Sequence, residues 1–385
     1  MNLLNTYKRY PIQLVKGKGS WLIDQNNQKY LDLYGGHGVI SIGHQNTTWL
    51  NAVQQQMSQL SFYSNVVHFD IQEKAAMRLK EISGYQNHQV FFCNSGTEAN
   101  EHALKLAQDF TMRSTIVSFK GSFHGRSHAS LSCTDLPHLH NPSHQSAATI
   151  QCELNDFDQI ESVLVTKKVA AVIIEGIQGV GGLDAPTITF LQYLSQLCDE
   201  NGTILILDEV QSGCGRTGKY FAHQHAGITP DIITMAKGIG NGFPVGAILV
   251  NPFFNVQPGQ LGSTFGGNPL ACAAVCAVVE ELQNNNWMKQ VEDKTAFLGA
   301  ELLLIEDIKN VTGKGLMIGF ETDYPSHIVL KELLDNGVFA GSSSKPNQIR
   351  ILPSLSISHQ EIEMFIKALK KSINIIKSKS YEAVC

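Results

Sequence analysis

Two stretches, VAAVIIE (169–175) and TILILDE (203–209), carry apolar side chains at nearly every position before their acidic ends, not at every second one. A strand with one wet face alternates, so a continuous apolar run needs cover on both faces, as in a parallel sheet with helices above and below. Four further short runs belong with them: QVFFC (89–93), STIVSF (114–119), DIITMA (231–236) and VGAILV (245–250). Between them lie helical patterns, such as TEANEHALKLAQDF (97–110), in which Ala99, Ala103, Leu106, Ala107 and Phe110 share one stripe. The expected class is α/β, with a large domain built on a mainly parallel sheet covered by helices.

After about residue 265 the texture changes to strands and helices in blocks: a long helical stretch, then GKGLMIGFE, SHIVLKELLDNG, IRILPSLSIS and a terminal amphipathic helix from about His359 to Lys377. Such blocks predict a smaller α+β domain. Near the start, GSWLIDQNNQKYLDLYGG reads as a β-hairpin around Asn26 and Asn27. At 385 residues the chain is longer than one core usually organises. The expected division is an N-terminal segment, 1–45, packing with the small domain, then a large domain, 46–262, and a C-terminal small domain, 263–385.

A net charge of -5, with no dense run of Lys and Arg, argues against nucleic acid as a partner. The eight cysteines include no CxxC pair, so reduced thiols are expected, not disulfides or a zinc site. The start, MNLLNTYKRYPIQLV, has no positive region leading into an apolar stretch, and no run approaches eighteen apolar residues. A cytoplasmic protein with no membrane span is expected.

The acidic end of TILILDE raises a question of charge. Burying an ionised carboxylate costs several kcal/mol unless something positive meets it. Asp208 closes that strand, on the rim where α/β sheets hold ligands; a helix cap or loop salt bridge is the plainer reading. Lys237 follows another apolar strand inside a glycine-rich turn, AKGIGNGFPVG. There a lysine can shed its proton and bond to a carbonyl carbon, though it could equally be a surface lysine in a loop. Ser95, Gly96 and Thr97 lie between a strand and a helix, a suitable phosphate cup, although Ser and Thr are also common helix caps. In FHGR, Phe123 can cover a flat ring and Arg126 can pair with a carboxylate, with an ordinary salt bridge as the alternative. One cofactor uses all four features: pyridoxal phosphate needs a lysine for its aldehyde, an acid at its ring nitrogen, a phosphate cup and a stacking side chain. A metal reading could be built on His124, His128, His138, His140 and His144, but their spacing is irregular and no carboxylate pattern accompanies them, so they read as polar loop histidines and no metal is expected.

Eight motifs in order, LYGGHGVISIGH, CNSGTEANEHALKLA, FHGR, EGIQGVGG, LILDEVQSGCGRTGK, PDIITMAKGIGNGFPVGA, GSTFGGNPLACA and IRILPSL, resemble the class III, fold type I aminotransferases of the acetylornithine and succinylornithine group over essentially the whole chain. The resemblance implies that Lys237 binds the cofactor's aldehyde, that Asp208 meets its ring nitrogen and that Gln211 hydrogen-bonds its 3-hydroxyl. It implies that Gly96 and Thr97 hold the phosphate and that Phe123 stacks on the ring. Thr264 would reach the phosphate of the neighbouring subunit's cofactor, with Ser263 near substrate, which implies a homodimer with active sites at the interface. Arg126 would take the α-carboxylate of an acylated ornithine, and Arg350 that of 2-oxoglutarate or glutamate.

The activity so implied is transfer of the terminal amino group of N2-acetylornithine or N2-succinylornithine to 2-oxoglutarate in arginine biosynthesis. Aminotransferases for ornithine or 4-aminobutyrate would share most of the same site. At one place the chain departs from the pattern: related sequences often carry QGEGG, whose glutamate can shield the oxo-acid arginine, and here Val180 stands in QGVGG. A valine cannot neutralise Arg350.

Overall fold

The computed structural model describes residues 3–140 and 148–382. His144 and Cys385 lie outside them. In chain order the strands are β1 (Leu14–Lys18), β2 (Trp21–Asp24), β3 (Lys29–Asp32), β4 (Gln89–Cys93), β5 (Thr115–Phe119), β6 (Thr149–Cys152), β7 (Val169–Glu175), β8 (Ile204–Asp208), β9 (Ile232–Met235) and β10 (Gly246–Val250), then β11 (Ile308–Lys314), β12 (Met317–Thr322), β13 (Val338–Phe339), β14 (Gly341–Ser342) and β15 (Gln348–Ile351).

A seven-stranded sheet in the order β4-β10-β9-β8-β7-β5-β6 forms the centre. Strands β5 to β9 pair in parallel, whereas β10 runs antiparallel to both β9 and β4. All residues of β7 and β8 are buried, as their unbroken apolar runs predict. Successive residues serve opposite layers. Ile173 and Ile206 pack with Ala103, Leu104 and Ala107 of the helix Gly96–Thr111, while Val172, Ile174, Leu205 and Leu207 pack with Phe190, Leu194 and Cys198 of the helix Ile188–Asn201. Each of the Val, Leu, Ile and Phe side chains among them contributes about 1.5–3 kcal/mol when fully buried. Phe110, expected on the same buried stripe, is instead half exposed and leans on Phe254 with ring centroids 4.7 Å apart. Strand β6 was not foreseen: TIQC is short, half-buried and carries a glutamine, so it lacks the apolar signature of its neighbours.

Two four-stranded sheets flank this centre, in the orders β1-β2-β3-β13 and β11-β12-β15-β14. The foreseen hairpin forms between β2 and β3, with Asn27 in the left-handed region at φ 63°. Parallel pairing of β3 with β13 ties the N-terminal segment to the C-terminal part of the chain. The last helix runs His359–Glu382. Among the described residues no helix is long and apolar enough to cross a membrane.

Candidate active site

Register brings the acids to one edge. Glu175, the last residue of β7, stands opposite Asp208, the last of β8, which stands opposite Thr234 in β9. Asp208 is only 3% exposed. Its Oδ2 accepts from Asn100 Nδ2 at 2.7 Å and lies 2.7 Å from His124 Nδ1, and its Oδ1 accepts from the Val210 amide at 3.0 Å. Asn100 is itself fixed, donating also to the His124 carbonyl at 2.7 Å and accepting from Thr234 Oγ1 at 2.7 Å. His124 therefore is not a solvated loop histidine. It is buried against the acid, and its Nε2 is buried without a hydrogen-bond partner. Among the described residues no group of three or more His, Cys, Asp or Glu is placed to hold a metal.

A cavity of about 380 Å³ opens over this edge, lined among others by Ser95, Gly96, Thr97, Phe123, Arg126, Asp208, Gln211 and Lys237. Lys237 begins a short turn after β9 and holds φ at 48°, a conformation that side-chain-bearing residues seldom adopt and that tends to mark functional positions. No hydrogen bond holds its Nζ among the described residues. Desolvation, opposed by the charges of Asp208 and Glu175, lowers its pKa to about 8. At pH 7.5 that leaves about a quarter of the amine neutral, against about one part in a thousand for an ordinary lysine.

The cup of the cavity comes from backbone. Ser95 caps the helix Gly96–Thr111, its Oγ accepting from the Glu98 amide at 3.2 Å, so the plain capping reading of Ser95 holds alongside its place in the lining. A Cβ on Gly96 would meet Val210 Cγ1 at 2.6 Å, and one on Gly125, at φ 142°, would meet Thr97 Oγ1 at 2.2 Å. Only glycine fits either place. Thr97 Oγ1 lies 2.6 Å from Ser127 Oγ and 2.8 Å from Ser130 Oγ.

Phe123 lines the wall, and Arg126, exposed at the mouth, lies over it with Cζ 5.3 Å from the ring centroid. Gln211 donates to the His37 carbonyl at 2.9 Å, and its Oε1 receives Arg350 Nη1 at 3.4 Å. Gly179 packs so closely that a Cβ there would fall 1.9 Å from Gln211 Oε1. Arg350, on β15 and 4% exposed, also donates to the Gly179 carbonyl. Among the described residues no carboxylate pairs with it, and Val180 lines the cavity where a glutamate would stand. Ser263 and Thr264 do not line this cavity. Ser263 Oγ accepts from Asn94 Nδ2 at 2.9 Å, one residue removed from it, and Thr264 is exposed.

Glu175, Asn100 and His124 escaped the sequence reading as site residues. Glu175 accepts from the Phe123 and Gly179 amides, both at 2.9 Å, and burial, together with the Asp208 charge and against that of His124, pushes its pKa up to about 7. It had the same signal as Asp208, an acid ending a wholly apolar strand. Asn100 had a weaker one, a polar residue beside Ala99 and Ala103 within a buried helix.

A buried acid, a desolvated lysine and a helix start that suits an anion define a class. The aminotransferase class-III family model matches residues 4–373, and the chain belongs to that family. It is similar to the acetylornithine aminotransferase of Bacillus subtilis (strain 168), 38% identical over 97% of each chain, and to that of Methanopyrus kandleri, 39% identical over 96% of each. Among solved structures it is similar to an ornithine aminotransferase from Toxoplasma gondii, with a TM-score of 0.92 and 27% identity over 98% of this chain and 93% of that one. An S-selective transaminase from Arthrobacter sp. gives 0.89 and 26%, covering 98% and 96%.

The family's cofactor is pyridoxal phosphate, and the residues fit it: among the described residues an amine without a hydrogen-bonded partner, an acid with three hydrogen-bonding neighbours and the start of the helix Gly96–Thr111, which suits an anion, all face one cavity. Uptake of pyridoxal phosphate by the apoprotein should speed up with rising pH, because only the neutral amine attacks, and level off with a midpoint near 8. Stopped-flow absorbance would show it; a midpoint near 10 would mean that the lysine is solvated.

Proposed function

We propose that this protein transfers the terminal amino group of N2-acetylornithine or N2-succinylornithine to 2-oxoglutarate, giving the semialdehyde and glutamate, as a step of arginine biosynthesis. The observation that carries the reading is the single cavity holding Lys237, Asp208, Gln211 and Arg126 in a chain whose full-length curated relatives are named acetylornithine aminotransferase.

Pyridoxal phosphate, when bound, supplies an aldehyde for the amino group and a ring that draws in the electron pair left by proton removal. Gly96, Thr97 and the helix start would hold its phosphate, Phe123 would cover its ring, and Gln211 would take the 3-hydroxyl. Asp208, held in place by Asn100, His124 and the Val210 amide, would face the ring nitrogen and hold a proton there. Arg126 at the mouth takes the donor's α-carboxylate through a two-pronged pair. Lys237 Nζ would take a proton from the substrate carbon that bears the terminal amine and hand it on as general base and acid. In the second half-reaction Arg350 holds the α-carboxylate of 2-oxoglutarate, and Lys237 moves the proton in reverse.

The protein works as a cytoplasmic homodimer in this reading, with Thr264 reaching the partner's phosphate site and Ser263 lying near substrate. Its exposed position in a single chain suits that role. In this reading the chain divides after residues 45 and 262, with the large domain holding the cofactor and the small domain carrying Arg350. A donor panel tests the reading. Acetylornithine or succinylornithine should outpace unacylated ornithine and 4-aminobutyrate in kcat/KM by at least about tenfold, one well-placed polar contact's worth. Equal glutamate formation from free ornithine would favour an ornithine aminotransferase instead.

A further inference from the structure

Arg350 poses a problem of charge. Its guanidinium is buried, its acceptors are the neutral Gly179 carbonyl and the Gln211 amide oxygen, and its Nε is buried with no partner. Val180 lines the cavity, and among the described residues no carboxylate makes an ion pair with the guanidinium, although the charge of Glu175 reaches it. A bare buried cation would hold any carboxylate, including that of the amino donor.

Tyr34 occupies that place. Cζ of Arg350 lies 5.9 Å from the centroid of its ring, a cation–π arrangement. The seat is built: Gly341 faces Arg350 across the β14–β15 pair, and a Cβ on Gly341 would strike Tyr34 Cε2 at 2.4 Å. The phenol is the polar group of that ring nearest the site and carries no charge, because burial pushes its pKa up. Its hydroxyl bonds the His37 ring, at 3.0 Å from Nε2 and in contact with Nδ1.

The loop is shaped to bring His37 back onto Tyr34. Gly35, Gly36, His37 and Gly38 all have positive φ, between 55° and 74°. His37, in a conformation that suits glycine, is kept there by Gln211 Nε2 on its carbonyl, and Asp32 Oδ1 anchors the Tyr34 and Gly35 amides at 3.0 and 2.8 Å. Desolvation, then the charges of Arg350, Lys237 and Arg126, push the His37 pKa down to about 4, so the ring adds no further charge.

We propose that Tyr34, oriented by His37, is a specificity-determining residue for the oxo-acid half-reaction: it is the neutral cover of Arg350 in place of a carboxylate, and its hydroxyl joins Arg350 in binding the α-carboxylate of the dicarboxylic substrate. The proposal rests on the role given above to Arg350. A neutral cover yields to a carboxylate that forms two charge-assisted bonds with the guanidinium, and no ion pair has to be broken first.

The test is calorimetric titration of the holoenzyme with glutarate, an unreactive dicarboxylate, beside steady-state kinetics. Tyr34→Phe keeps the ring in its seat and removes the hydroxyl. It should weaken glutarate about 5-fold, as for one lost hydrogen bond, and raise KM for 2-oxoglutarate by the same factor, while KM for the acylated donor stays within about twofold. Arg350→Gln serves as the control. If Arg350→Gln weakens glutarate but Tyr34→Phe does not, the inference about Tyr34 fails and the function stands. If neither variant weakens glutarate, the role of Arg350 fails with it. An equal rise in KM for donor and oxo acid would also overturn the assignment.

Discussion

Lys237→Ala is expected to lower transamination by about 10⁴-fold or more, since in the proposed mechanism the same amine bonds to the cofactor and moves the proton. The protein should still fold. Lys237 Nζ makes no hydrogen bond among the described residues, and desolvation of its charge outweighs its attraction to Asp208 and Glu175, so little stability is lost with the amine. The lysine-dependent visible absorption of the holoenzyme should vanish with the activity, while thermal unfolding of the apoprotein stays unchanged or moves upward. Adding small amines to the assay checks the role further, because a soluble base can replace part of a missing proton carrier. A variant retaining a tenth of the parent activity would show that the proton moves elsewhere.

Asp208→Asn is expected to lower kcat by about 10²–10³-fold, the usual effect of removing one prepositioned electrostatic partner from a site of this kind. Asparagine keeps the shape but not the charge. Asn100, His124 and the Val210 amide now all direct donors at the carboxylate, so the new amide group would face at least one of them donor to donor. Asp208→Ala leaves those buried donors without an acceptor, at about 1–3 kcal/mol for each unsatisfied group. Stability should therefore fall in the order parent, Asn, Ala, while both variants lose activity. If Asp208→Asn turned over at the parent rate with intact cofactor binding, the acid would be a structural cap and no more.

The large sheet was legible because continuous burial on both faces leaves an unbroken apolar run, as in β7 and β8. The exception in orientation, β10, has the same kind of run as its parallel neighbours, because a strand covered on both faces reads alike in either direction. The edge strand β6 is half-buried and left too little pattern to read. Among site residues, Asp208 and Lys237 were legible because a charged group ending an apolar strand is costly without a partner. Glu175 gave the same signal and lacked only a motif to attach it to. His124 was misread, because a histidine in a polar stretch shows no sign of the strand-end acid it will meet 84 residues later. Ser263 and Thr264 show the opposite limit: their place in a site follows from resemblance, and the single chain leaves them outside the cavity.

In the proposed mechanism the amine of Lys237 bonds covalently to the cofactor within reach of Asp208. Borohydride reduction of the holoenzyme followed by peptide mass mapping tests this most directly. A phosphopyridoxyl adduct confined to the peptide containing Lys237, formed in the parent and in Asp208→Asn but absent from Lys237→Ala, is the expected result. An adduct on a different lysine, or none on a protein that retains full activity, would contradict it.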